Sequence, residues 1–190
     1  MTLTNRNVWF AVGAVAALQA AVLVWMIWDR AALLANGREV VLEVVPVDPR
    51  SLFRGDYVNL NYDISRIPVP DGLERLKRGS DLYVTLQKGA GDYWEAAAAS
   101  PEAPDSVGPD QVVLKGRVTY SSKANATNPA MARVKYGIES YFVPEGTGRD
   151  LEKLVGQKKI ATLVAVDEDG TAGIKGLVVD GARVYLEPLF

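Results

Sequence analysis

The amino-acid sequence predicts a mainly β protein: a single N-terminal transmembrane helix, then one antiparallel β domain, barrel-like or a folded-over sheet, with one or two short helices. Three observations predict it. Val8 to Trp28 is a run of 21 residues with no charge and one polar side chain, Gln19, long enough to span a bilayer. Beyond residue 38 the apolar residues alternate or come in short blocks bounded by Gly, Pro, Asp or Asn, which is the strand pattern. About ten such blocks occur, and closure is how so many short strands avoid open edges.

The helix comes first. At about 1.5 Å per residue the apolar run reaches roughly 30 Å, the thickness of a hydrocarbon core. Trp9 stands near one end, with Trp25 and Trp28 near the other, where indole rings favour the headgroup level. The competing reading is a buried helix of a soluble domain. Ala14-Val15-Ala16 has the small-x-small form of a signal-peptidase site, but it lies mid-run. The run also exceeds the roughly 7–15 residues of a cleavable signal's apolar region, so the segment reads as an uncleaved signal anchor. Arg6 flanks one side without an acid, whereas Arg30 and Arg38 follow the other among Asp29 and Glu39. Long domains are translocated largely regardless of charge, which places the amino terminus inside and the domain outside. Gly13, Ala17 and Ala21 recur every four residues, a spacing that admits a second helix, and Gln19 offers a hydrogen bond across it.

The resulting organisation is an anchor over 1–30, a polar linker over 31–38 and an extracytoplasmic β-rich domain over 39–190. Strands are expected at 40–47, 57–64, 82–87, 93–99, 112–120, 134–136, 140–143, 160–166, 174–179 and 184–186. Short helical turns are expected at 71–78 and at 150–155, where Gly156 stops the second. Asp167-Glu168-Asp169-Gly170 between two apolar runs is a hairpin signal, because Asp-Gly supplies the positive φ of a tight turn. A calcium loop there would need a glutamate twelve positions along, and that place is Val178. The Pro-, Ser- and Asn-rich stretches 100–110 and 121–131 read as solvated loops.

Composition removes whole classes of chemistry. With 21 Lys+Arg against 23 Asp+Glu the formal charge is −2, which offers no basic footprint for nucleic acid. There is no cysteine, hence no disulfide, thiolate zinc site, thiol nucleophile or lipidated cysteine. There is no histidine, so any hydrolase must use a lysine or carboxylate base. No metal or cofactor motif is expected. Gly146-Thr147-Gly148-Arg149-Asp150-Leu151 has leucine where a dinucleotide loop needs its third glycine.

The densest cluster of unusual residues runs from Val45 to Tyr62, VPVDPRSLFRGDYVNLNY. Asp48-Pro49 starts a turn, Gly55-Asp56 closes it, and a strand leaves from Tyr57. Alternation puts Val58, Leu60, Tyr62 and Ile64 on a core face and Tyr57, Asn59, Asn61 and Asp63 on the other. Tyr62 is expected in the core with its hydroxyl satisfied at the rim. The segment resembles the bacterial GDYXXLXY family, whose motif stands here as Gly55, Asp56, Tyr57, Leu60 and Tyr62, and the block from Tyr136 to Gly146, YGIESYFVPEG, looks like the family too. The resemblance implies a membrane-anchored protein often found beside or fused to large polytopic membrane proteins; with the single apolar span, this places the chain in the cytoplasmic membrane.

Two functional readings follow. In the first, the chain is a non-catalytic accessory or binding module of the envelope, docking on a polytopic membrane partner. Its contacts with that partner, a peptide or a small anionic ligand run through Arg50, Arg54, Gly55, Asp56, Tyr57, Glu139 and Tyr141, since arginine recognises carboxylate or phosphate bidentately. The sober counterpart is a turn pinned by Arg–carboxylate pairs, with Leu60 and Tyr62 structural. In the second, Ser51 is a nucleophile and Lys115 its base, loosely resembling the signal-peptidase arrangement of anchor, β domain and Ser-Lys pair. That chemistry requires a buried lysine of depressed pKa.

Overall fold

The computed structural model describes residues 5–45, 57–70, 72–73, 75–89, 91–125, 128–142, 160–179 and 181–184. One helix, α1, spans Asn5–Asn36. It is followed by β1 (Arg38–Glu43), β2 (Tyr57–Asn59), β3 (Arg66–Pro68), β4 (Asp81–Lys88), β5 (Trp94–Ser100), β6 (Gln111–Ser121), β7 (Met131–Lys135), β8 (Ser140–Phe142), β9 (Ile160–Val166), β10 (Ala172–Val179) and β11 (Ala182–Val184). The architecture is mainly β and antiparallel, with the apolar helix at its amino end.

α1 has the length and composition to cross a membrane, and its apolar window is 0% buried against the rest of the chain. That overturns the reading of a buried helix in a soluble domain. The helix also does not stop at Trp28. Residues 31–36, expected as a polar linker, continue it to Asn36, because Leu33 and Leu34 are buried where its end meets β9 and β10. Gly37 closes the helix by donating its N–H to the Leu33 carbonyl at 2.9 Å. A Cβ at Gly37 would press on the Ala165 Cβ and Val166 N, both at 3.0 Å, so no larger residue fits this joint.

The strands form three antiparallel sheets, ordered β1-β9-β10-β11, β2-β8 and β3-β7-β6-β4-β5. The five-stranded sheet curls until its edge strands β3 and β5 approach each other and β5 also meets β1, a nearly closed barrel. Alternation builds its interior: Leu82, Val84 and Leu86 of β4, Val112, Leu114 and Val118 of β6, and Ala132 and Val134 of β7 are all buried. β9 is buried along its whole length, since one face joins the core and the end of α1 reaches it as well. The Asp167–Gly170 turn joins β9 to β10 as expected, with Gly170 at φ +84° and the Thr171 N–H donated to Asp167 Oδ1 at 2.7 Å.

Two further expectations fail. The continuous strand expected over 57–64 breaks after Asn59. Tyr62 bridges to Val44, a 3-10 turn covers Asp63–Ser65, and the chain restarts as β3. Ser65 causes the turn, accepting the Tyr62 N–H on its Oγ at 3.3 Å while its own N–H bonds the Tyr62 carbonyl at 3.0 Å. The break lets β2 pair with β8 and β3 with β7. The helical turns expected over 71–78 are absent among its described residues. Gly72 and Gly79 bracket it at φ +83° and +84°, and the Leu76 N–H is taken by Ser121 Oγ at 2.9 Å. The helix expected over 150–155 lies outside the described residues.

Candidate functional site

The core-facing half of the motif is built as the alternation implies: Leu60, Tyr62 and Ile64 are buried, and Asn59 and Asp63 are exposed. Its hydrogen bonds lead to the second block. The Leu60 N–H donates to the Glu139 carbonyl at 2.8 Å. Tyr62 donates its hydroxyl to the Ile138 carbonyl at 2.7 Å, and Tyr136 donates its own to the Ile64 carbonyl at 2.6 Å. Tyr62 is only 1% exposed, so its hydroxyl is satisfied inside the core and not at the rim.

Burial pushes both phenols far above the tyrosine range, with the charge of Glu139 adding to each. At Tyr62 the neighbouring Thr162 hydroxyl pulls the other way, although Thr162 Oγ1 is fully buried and holds no hydrogen bond of ordinary geometry. These tyrosines are therefore fixed donors and not proton-transfer groups at neutral pH.

Glu139, an expected contact residue together with Arg50, Arg54 and Asp56, caps a turn with its carboxylate, one oxygen accepting the Tyr136 N–H at 2.6 Å and the other the Gly137 N–H at 3.1 Å. Gly137 sits at φ +82°, which explains the glycine. Tyr141, expected to face a ligand, is buried in the core. In the ladder Tyr57 stands opposite Phe142 and Val58 opposite Tyr141. Arg50, Ser51, Arg54, Gly55 and Asp56 lie outside the described residues.

Lys115 does not fit a serine–lysine mechanism. It lies exposed on β6, ion-paired to Asp81 at 3.1 Å and over the Tyr83 ring at 5.7 Å. The hydrogen bond to Asp81 holds its pKa above the lysine value, opposite to what a general base needs. No group of three metal-ligating side chains occurs among the described residues.

Two cavities were not legible in the sequence. One of about 710 Å³ lies at the helix joint, between Asp29 and Leu33 of α1, Val107, and the Asp167 to Asp169 turn. Beside it Arg38 donates to the Gln111 carbonyl at 3.0 Å and the Pro109 carbonyl at 2.5 Å while stacking on Trp94 at 5.4 Å. The other, of about 290 Å³, lies where β3 and β5 face each other; Glu43, Asp63, Arg66, Tyr93, Trp94 and Glu95 are in its wall, with Tyr62 and Leu42 behind them. The signal that could have found it is the pair Tyr93-Trp94, aromatic residues at the start of an otherwise alanine-rich strand.

A family model described as GDYXXLXY protein matches residues 19–177. No curated protein and no solved structure matches the chain.

Proposed function

The chain belongs to the GDYXXLXY family, and from that premise we propose that it is a non-catalytic, membrane-anchored accessory module that docks on a polytopic membrane partner, its β domain outside the cytoplasmic membrane. One observation carries the reading. The apolar window of α1 is uncovered by the chain's own domain, yet the last turns of the same helix are packed against β9 and β10. A surface so large and apolar requires lipid or another helix around it, and a helix continuous with its domain transmits any position taken in the membrane to the barrel. The face bearing Gly13, Ala17 and Ala21 suits close helix approach, and a Cβ at Gly13 would meet nothing in the chain itself.

The test is photocrosslinking of the full chain in native membranes, from probes at Gly13 and Gln19 in the helix and at Tyr120 on the domain. A specific adduct with a polytopic protein is expected. Adducts with lipid alone from every position defeat the docking reading. Protease added outside spheroplasts is expected to cut the domain; cutting only in inverted vesicles reverses the orientation.

A further inference from the structure

We propose that the cavity between β3 and β5 binds an extended peptide segment, seating one basic side chain between the aromatic and acidic walls. The charge is the first ground. Glu43, Asp63 and Glu95 border the cavity with Arg66 as the single cation of its wall, the Glu95 carboxyl itself lying beside Gly89. No ion pair joins any of the four to another described residue. Two carboxylates, Glu43 and Asp63, against one guanidinium leave an acidic balance that repels anions and draws a cation, which also argues against a small anionic ligand here.

The walls supply the second ground. Tyr93 and Trp94 border the same space, and aromatic faces attract ammonium and guanidinium groups. The Trp94 ring already takes one such group from within the chain, Arg38 at 5.4 Å. The third ground is the backbone. Among the described residues β5 pairs with β4 alone and β3 with β7 alone, so each turns an edge unpaired by any described strand toward the seam. The usable part of the β5 edge is short. Leu86 pairs with Ala96 and Thr85 with Ala98, leaving Ala97 as a bulge that interrupts the edge beyond Trp94–Ala96. An edge of this kind takes an added strand through main-chain bonds, while a side-chain pocket sets the specificity. At about 290 Å³ the space is below the usual range for whole small-molecule ligands, roughly 300–1,000 Å³, and suits one long side chain.

The experiment uses the full chain in detergent micelles, with Trp94 fluorescence as one readout, since the other three tryptophans, Trp9, Trp25 and Trp28, lie in α1. Fluorescence anisotropy of labelled peptides is the second readout. The probes are two capped heptapeptide pools with Val, Thr, Ser and Tyr at the outer positions and either lysine or glutamate at the centre. The lysine pool is expected to bind at least about tenfold more tightly than the glutamate pool, and Glu43→Gln with Asp63→Asn to weaken it about three- to tenfold without changing the far-ultraviolet dichroism. N-methylation of the central backbone is expected to weaken it further. Equal binding of the two pools, or no binding of the lysine pool, overturns the proposal. Cadaverine binding as tightly as the lysine pool overturns the peptide part and leaves an amine site. Because the measurement needs neither bilayer nor membrane partner, its failure is distinct from a failure of docking.

Discussion

Tyr62 and Tyr136 hold each other's strands by the same bond: each donates its hydroxyl to the carbonyl two residues beyond the other, Tyr62 to Ile138 at 2.7 Å and Tyr136 to Ile64 at 2.6 Å. The crossed pair ties the segment after β2 to the segment after β7 independently of the strand ladders. A slip of one residue in either segment breaks both bonds and turns Leu60, Tyr62 and Ile64 outward. The motif tyrosine is therefore a register lock first.

Removing either hydroxyl leaves a buried carbonyl without that partner. Tyr62→Phe and Tyr136→Phe are each expected to lower stability by about 1–3 kcal/mol, and Tyr62→Ala by about 3–5 kcal/mol through the added cavity. Urea unfolding followed by the dichroism of the full chain in micelles measures this. A loss below about 0.5 kcal/mol for both phenylalanine variants would show that the carbonyls are satisfied without the hydroxyls.

The same pair fixes the alkaline limit. Burial raises both phenols above the ordinary tyrosine value of 10.0, so between that value and the folded pKa the unfolded chain releases protons that the folded chain keeps. Their stabilising contribution is full below pH 10 and is lost as pH rises through the folded values. Unfolding midpoints measured from pH 8 to 12 are expected to fall above pH 10, less steeply in the Tyr62→Phe, Tyr136→Phe double variant. Equal slopes would remove the tyrosines as the cause.

Much of this architecture is written locally in the sequence. The alternation of β4 and β6, the Asp167–Gly170 turn and the apolar run of α1 all follow from spacing alone. The break at Asp63 does not, because Leu60, Tyr62 and Ile64 keep the same parity on both sides of it and all are buried. The continuation of α1 was hidden by the charges of Asp29 and Arg30 at the end of the expected anchor and by Asn36 in the expected linker, although Leu33 and Leu34 between them are buried where the helix meets β9 and β10. The tyrosine lock was illegible for another reason: its acceptors are main-chain carbonyls 76 and 72 residues away, which leave no mark on composition.

Gly116 on β6 makes room for this lock. A Cβ there would strike Val134 Cγ1 and lie 2.8 Å from two atoms of the Tyr136 ring, and close contacts in a packed core are not absorbed by small shifts. Gly116→Ala is expected to cost about 1–3 kcal/mol and to displace the Tyr136 ring, seen as a change in near-ultraviolet dichroism. A neutral result with an unchanged spectrum would show that the ring has another seat.

Glu39 spans the other sheet, accepting bonds from Lys175 at 2.8 Å and Arg183 at 2.9 Å across Ala165, its small partner on β9. The hydrogen bond from Lys175 lowers its pKa below the ordinary glutamate value of 4.5, with desolvation opposing. Its stabilisation is present above that value and lost as pH falls through the folded pKa. Glu39→Gln is expected to cost about 0.5–1 kcal/mol at pH 7, a figure reduced for solvent screening, and little at pH 3. A cost that does not change between these pH values would assign it to packing.

The joint between helix and barrel decides whether the membrane segment steers the domain or merely tethers it. Gly173 on β10 lies beneath α1: a Cβ there would meet the Arg30 guanidinium at 2.5 and 3.0 Å and Leu33 Cδ2 at 3.1 Å. Gly173→Val keeps a good strand former in β10 but lifts the helix end, exposing Leu33 and Leu34. Hydrogen exchange in micelles is expected to quicken about tenfold or more at residues 33–37, as for a local loss of about 1.4 kcal/mol, while β4 and β6 stay protected. If all regions quicken together the joint belongs to the global fold, and if residues 33–37 keep their protection the helix end is held by something other than its seat on β10.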